Sequence, residues 1–205
     1  DVAGLILASP RMSTTHVREV AAQVPTVLIN GRVKGLSNVL VSAARAIADA
    51  VASAAEVGAT GVAYIGSEHR SWANAEREES ARSEADKHSL PYRRLRLAQP
   101  TYEEARDLVS AMECRPGELL IAFDDIVAHG MLDGMGARGY HAPEDFRILG
   151  CDDALPINTQ PALSTVHLDT RMAARIAVDL LLSEDSESSA QSVVVSGTYR
   201  PGATT

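Results

Sequence analysis

The sequence predicts an α/β fold with a mainly parallel sheet, and three observations carry that reading. Short apolar runs recur along the chain, most of them continuous instead of alternating, as strands buried on both faces tend to be. Between them lie segments whose apolar residues fall three and four apart, the spacing of a helix face. The connections are short, so strand and helix alternate in the order that βαβ units require. The chain has 205 residues, 45% of them hydrophobic, enough for one large domain or two small lobes, which argues against disorder.

Taken in order, Val2 to Ala8 opens as a strand ended by Pro10. Val17, Val20, Ala21 and Val24 share one helix face behind Ser13 and Thr14, whose hydroxyls suit an N-cap, and Pro25 stops that helix. Thr26 to Asn30 is the next strand, and Ala44, Ile47, Ala48, Val51 and Ala55 repeat the helical spacing up to Gly58. Strands follow at Gly61 to Gly66 and at Arg93 to Leu97. Between them the chain turns polar from Ser67 to Arg77, around a single tryptophan, Trp72, that reads equally as a half-exposed helix start and as an aromatic platform for a sugar or base. Thr101-Tyr102-Glu103-Glu104 is a capping box ahead of Ala105, Leu108, Val109 and Met112. Glu118 to Phe123 is a strand, and a helix from Ile126 to Arg138 ends at Gly139, well placed for a left-handed C-cap. Phe146 to Gly150 is again a strand, and Asp169 caps a helix carrying Met172, Ala173, Ile176, Ala177, Leu180 and Leu181. The acidic stretch Ser183 to Ser192 has nothing to bury and reads as a surface loop before the last run, Ser192 to Val195.

Nineteen basic and twenty-seven acidic residues give a formal net charge of −8. These residues therefore lack the electrostatic footprint of a nucleic-acid or anionic-membrane binder, and any DNA contact has to come from elsewhere. No apolar run approaches the ~18 residues that span a bilayer, and the opening lacks the basic and apolar regions of a signal peptide, so a cytoplasmic protein is expected. Asp1-Val2-Ala3-Gly4-Leu5 enters a strand with no start methionine, which reads as the middle of a longer protein whose earlier residues cover that sheet edge. Cys114 and Cys151 show neither metal-ligand spacing nor a disulfide framework and are expected as reduced thiols.

Few motifs carry chemistry. Gly134-Met135-Gly136-Ala137-Arg138-Gly139 spells G-x-G-x-x-G, but a dinucleotide site needs those glycines at a strand-to-helix turn and here they end a helix. The histidines are scattered without an i, i+4 pair, and His129 reads as a polar residue at a cleft rim. No metal, cofactor or catalytic residue is expected. Two acidic pairs stand out by position. Asp124-Asp125 and Asp152-Asp153 each follow a strand, at the edge where open α/β sheets bind ligands. Such carboxylates accept hydrogen bonds from vicinal sugar hydroxyls, though Asp125 reads equally as a helix N-cap, and a carboxylate pair also suits acid–base hydrolysis or a cation. Arg77, one turn beyond Trp72, has a forked donor that can reach the same edge.

Five segments occur together in a familiar order: Val2-Ala3-Gly4-Leu5-Ile6-Leu7, Val57-Gly58 before Val62-Ala63-Tyr64-Ile65-Gly66, Phe123-Asp124-Asp125-Ile126, Ile148-Leu149-Gly150-Cys151-Asp152-Asp153, and Pro161-Ala162-Leu163-Ser164-Thr165-Val166. With Tyr199-Arg200 after them, they resemble the effector-binding core of LacI/GalR-type transcriptional regulators over essentially the whole chain. The resemblance implies a periplasmic-binding-protein-like type I fold of two Rossmann-like lobes of mainly parallel sheet flanked by helices, the first lobe incomplete. Residues 1–41 and 168–194 would form the N-terminal lobe, and 42–167 with 195–205 the C-terminal one. It further implies a homodimer that binds a sugar or nucleobase-like effector between the lobes and reaches operator DNA only through a headpiece absent from these residues. Carried over by position, Asn30, Trp72, Arg77, Asp124 and Asp152 would bind the ligand, Asp124 standing where the family usually has asparagine. Ser42-Ala43-Ala44 replaces the family's D-N and loses a capping carboxylate, and Glu78 and Glu79 are expected to point outward from a weakly packed helix. A transporter's solute-binding protein and a carboxylate-pair sugar hydrolase are the alternatives.

Overall fold

The computed structural model describes residues 2–68, 71–154, 159–183 and 190–205. The elements run β1 (Leu5–Ala8), α1 (Thr14–Ala21), β2 (Thr26–Ile29), β3 (Asn38–Ser42), α2 (Ala44–Glu56), β4 (Val62–Ser67), α3 (Trp72–Lys87) and β5 (Tyr92–Leu97). They continue α4 (Tyr102–Ala111), β6 (Leu119–Ala122), α5 (Asp125–Ala137), β7 (Arg147–Asp152), β8 (Ser164–His167), α6 (Thr170–Leu182), β9 (Ser192–Ser196) and β10 (Thr198–Arg200). The chain divides into two compact units, one of residues 1–42, 71–73 and 169–196, the other of 43–70, 74–168 and 197–205.

The first unit carries a four-stranded sheet in the order β1-β2-β3-β9, every pair parallel. Ser13 caps α1, as its position suggests, by accepting from the N–H of His16, and Val17 of that helix packs with Leu28 and Val33. Strands β2 and β3 are buried, whereas β1 at the edge is half-buried. Helix α6 lies against β1 to β3, its first turn capped by Asp169 through the N–H of Met172 at 2.8 Å.

The second unit carries six strands in the order β10-β8-β7-β6-β4-β5, parallel except for the antiparallel β10–β8 pair. Ala63, Ile65, Leu120, Ala122 and Ile148 face α4 and α5, meeting Val109, Val127, Met131 and Met135 in one core. Successive strand residues point to opposite faces, and Tyr64 accordingly reaches the other side, where its hydroxyl donates to Asn74 of α3 at 3.1 Å. Helices α4 and α5 touch almost backbone to backbone. A Cβ on Gly130 would stand 2.2 Å from the carbonyl oxygen of Tyr102, and one on Gly134 2.2 Å from Val109. Within the glycine pattern Gly134 thus serves helix packing, whereas a Cβ on Gly136 would meet nothing within 4 Å and Gly139, at φ +83°, follows the C-cap.

Two strands escape the pattern reading. β3 is a patch of two valines and a leucine flanked by Asn38 and Ser42, and β8 is half polar, yet Ser164 and Thr165 are buried because their hydroxyls bond to Thr205 and Asp125. The capping box forms with one change: Thr101 accepts from the N–H of Glu104, but the Glu104 carboxylate returns to the N–H of Gln99 at 2.9 Å. The acidic stretch read as a loop falls largely on 184–189, outside the described residues. Cys114 and Cys151 are free.

Candidate functional site

The strands β4, β6 and β7 end side by side, and α3 and α5 start where β4 and β6 finish. That is the edge at which parallel sheets leave helix N-termini and loops to meet a ligand. Asn74 fixes α3 to this edge. Its side chain accepts from the Ser67 N–H at 3.1 Å and donates to the Ser67 carbonyl at 3.3 Å. Gly66 makes room for it, since a Cβ there would lie 2.7 Å from the Asn74 amide oxygen.

Three turns of chemistry converge through Arg77. The guanidinium is 5% exposed, lies over the Phe123 ring at 5.2 Å, donates to the Phe123 carbonyl and holds the Asp152 carboxylate at 2.6 Å. The fork reaches the expected edge, and within the protein its two arms go to Phe123 and Asp152. Burial forces both ends of the fork to find partners within the fold, so Arg77 fixes the acceptor and Asp152, its side chain 38% exposed, presents it.

Asp124 and Asp125 exchange the roles that the sequence left open. Asp124 is the N-cap of α5, accepting from the N–H of Val127 at 2.8 Å, and Asp125, read as a possible cap, turns inward. Its carboxylate accepts from the Thr165 hydroxyl at 2.6 Å and from the N–H of Asp153 at 2.8 Å. Gly150 admits it, because a Cβ at that position would meet the Asp125 oxygen at 2.2 Å. Asp152 and Asp153 both take positive φ, +102° and +47°, a strained pair at the end of β7 that Asp125 and Arg77 hold in place. Asp153 in turn receives Arg200 and the Nδ1 of His167, the latter at 3.0 Å.

Burial raises the Asp124 carboxyl above its ordinary range, partly offset by the Val127 N–H and reinforced by Asp152 nearby. Burial likewise pushes Asp125 up to about 6 against the bonds from Thr165 and Asp153, with Asp152 and Asp153 adding to the rise. Cys151 lies against the same groups, and burial pushes its thiol up, which leaves it unreactive. Asp124, Asp125, Cys151 and Asp152 line a cavity of about 60 Å³. About 10–15 Å³ of such space holds a water, so this pocket has room for a few waters or for the polar edge of a small molecule. A larger cavity of about 660 Å³ lies on α4 and α5, lined by Tyr102, His129, Asp133, Tyr140 and Phe146 among others. His129 belongs to that second cavity, edge-on to Tyr102 at 5.2 Å. The acidic edge is the stronger candidate because its polar groups converge on fixed strand ends.

Of the expected ligand residues, Arg77, Asp124 and Asp152 are thus brought together in the second unit. Asn30 belongs to the first unit, at φ +52°, where its amide oxygen accepts from the Val41 N–H at 2.8 Å and ties the end of β2 to β3. Trp72 opens α3, half-buried, and groups with the first unit.

Glu76 is the residue that sequence reasoning missed. Ala43 at the N-cap of α2 makes no side-chain cap, as the missing family carboxylate implies, and Glu76 supplies one from α3. Its two oxygens accept from the N–H of Ala44 at 3.1 Å and of Ala43 at 3.4 Å. The signal was there in principle: a helix start without a local acceptor must be satisfied from elsewhere. The outward reading of α3 is corrected for Glu78, which is half-buried and paired with Arg94 of β5 at 2.9 Å, whereas Glu79 is exposed. Nor is the helix loosely seated, since Ala81 and Ala85 are fully buried.

A profile of the periplasmic binding protein-like domain matches residues 51–205. The chain belongs to that family. A structure of a LacI transcriptional regulator from a Rhodococcus species superposes with a TM-score of 0.86 at 24% identity, over 99% of this chain and 78% of that one. A LacI family regulator from Enterococcus faecium, solved with bound ribose, gives a TM-score of 0.86 at 19% identity, over 100% of this chain and 79% of that one. In sequence, 79 residues, or 38% of this chain, are 33% identical to the HTH-type transcriptional repressor PurR of Vibrio cholerae. That stretch covers 23% of the repressor's length. No helix among the described residues is long and apolar enough to cross a membrane.

Proposed function

We propose that this chain is the small-molecule-sensing regulatory domain of a LacI-type DNA-binding transcriptional regulator, and that its effector binds at the acidic strand edge of the second unit. The observation that carries the reading is the Arg77–Asp152 pair, a buried guanidinium spending its donors to hold a half-exposed carboxylate at the end of β7. A carboxylate fixed in that way accepts hydrogen bonds from hydroxyls in one geometry, which suits a polyhydroxylated ligand. The ribose bound by the Enterococcus faecium regulator is a ligand of that chemistry. Asp124 flanks the edge. The effector acts by binding one conformation more tightly than another, since only differential affinity shifts such an equilibrium, and no bond is made or broken.

The regulator works as a homodimer in the cytoplasm. With a net charge of −8 on these residues, operator contact falls to a separate DNA-binding segment. Asp124 is committed to the α5 cap and Asp152 to Arg77, so the carboxylate pair serves binding instead of hydrolysis. Thermal unfolding against neutral sugars, nucleosides and nucleobases tests the reading, because a ligand of the native state raises the midpoint. The expected result is a rise with at least one of them that Asp152→Ala removes; a folded protein whose midpoint no compound moves would refute it.

A further inference from the structure

Among the described residues at this edge of the second unit, three groups have the makings of an anion site: the N-terminus of the 13-residue α2, the N-terminus of the 13-residue α5, and the Arg77 guanidinium. Each is already filled by a carboxylate of the chain itself. Glu76 takes the N–H groups of Ala44 and Ala43 at 3.1 and 3.4 Å, Asp124 takes that of Val127 at 2.8 Å, and Asp152 takes Arg77 at 2.6 Å. The remaining reach of Arg77 goes to the Phe123 carbonyl. Glu76 and Arg77 are neighbours on α3, so one turn of that helix closes the α2 terminus and supplies the guanidinium that Asp152 closes.

From this we infer that the site discriminates by charge: it takes neutral or cationic hydrogen-bond donors and rejects phosphorylated or otherwise anionic ligands, with Glu76, Asp124 and Asp152 as the discriminating residues. The inference rests on the ligand-sensing reading above and narrows it. Among the described residues, a phosphate arriving at this edge finds the α2 and α5 termini and the Arg77 guanidinium already paired, and it faces the carboxylates of Asp124 and Asp152. Like-charge juxtaposition is how specific sites exclude close relatives of their ligand. A hydroxyl or ammonium group meets the reverse, because Asp152 keeps lone pairs that Arg77 does not use.

The test is isothermal titration of the 205-residue chain with matched pairs: ribose and ribose 5-phosphate, glucose and glucose 6-phosphate, adenosine and its 5′-monophosphate. Where the neutral member binds, its phosphorylated partner is expected to bind at least about tenfold more weakly. Asp124→Asn, which keeps a good N-cap while removing the charge, and Glu76→Gln, which keeps an acceptor at α2, are each expected to narrow that gap several-fold. A phosphorylated member that binds as tightly as its neutral partner would overturn the charge filter while leaving the ligand-sensing reading intact. A gap unchanged in both variants would overturn the assignment to Glu76 and Asp124. Binding by no member of any pair would remove the ligand-sensing reading and this inference with it.

Discussion

Helices α5 and α3 both start at the ends of central strands of the same sheet, and they are held there by opposite means. α5 is apolar and glycine-rich, and it seats Val127, Met131 and Met135 in the core while Gly130 and Gly134 let α4 approach to contact. α3 buries two alanines and two polar residues, Asn74 and Arg77, and is otherwise pinned by side-chain bonds to β4, β5, β7, α2 and the Phe123 carbonyl just past β6. The difference teaches where function sits. Apolar packing fixes a helix without regard to the direction of any one group, whereas directed polar bonds fix the orientation of each partner. The helix whose Arg77 holds Asp152, the carboxylate proposed to meet the ligand, is the one positioned by the second means.

The largest effect expected is that of Arg77→Ala. It leaves a buried void, the Phe123 carbonyl without its donor and Asp152 without its anchor, and should cost about 3 kcal/mol of stability together with ligand binding. Urea unfolding and titration together check it. Next comes Gly134→Ala, whose new methyl group meets Val109 at 2.2 Å; about 2 kcal/mol is expected from overpacking, with ligand affinity unchanged in the fraction that folds. If that substitution abolished binding in the folded protein, the contrast between the two helices would fail.

Asp125 gives a smaller effect with a distinctive sign. Its folded-state carboxyl titrates near about 6, above the ordinary 3.8, so the native chain binds the extra proton between those values. Its contribution to stability therefore falls as pH rises from about 4 to about 6, the reverse of an ion-paired carboxylate. Thermal midpoints across that range should decline more steeply for the native sequence than for Asp125→Asn; parallel slopes would show that the group is not strained by burial beside Asp152 and Asp153.

Glu76→Ala removes a side-chain acceptor from two amides at α2 and is expected to cost about 1 kcal/mol, a cap's worth, measurable by urea midpoint. Last, Arg82→Ala on the outer face of α3, where Arg82 pairs only with exposed Glu79 and Asp86, should leave the midpoint where it is. A clear drop there would mean that α3 depends on its solvent face as well.

The contrast also explains what could be read from the sequence. α5, α4 and α6 announce themselves by apolar spacing and by caps at Thr101 and Asp169, and β4, β6 and β7 by continuous apolar runs. The order of motifs placed Arg77, Asp124 and Asp152 at one edge. Their use was not legible, because it depends on what lies across the fold. A sequence shows that Arg77 has a fork, not that Phe123 and Asp152 fill it, and it cannot show that the missing cap of α2 is supplied thirty-odd residues later by Glu76. The buried face of β8 was hidden for the same reason: Ser164 and Thr165 look exposed until Thr205 and Asp125 are seen beside them.

The most direct test of the central claim is a crystal structure of the chain with the tightest neutral binder from the titrations. The account predicts a ligand hydroxyl or amine within hydrogen-bond distance of the Asp152 carboxylate, with Arg77 still turned to the Phe123 carbonyl. A ligand seated instead in the cavity between Tyr102, His129 and Phe146, with the Asp152 carboxylate untouched, would contradict it.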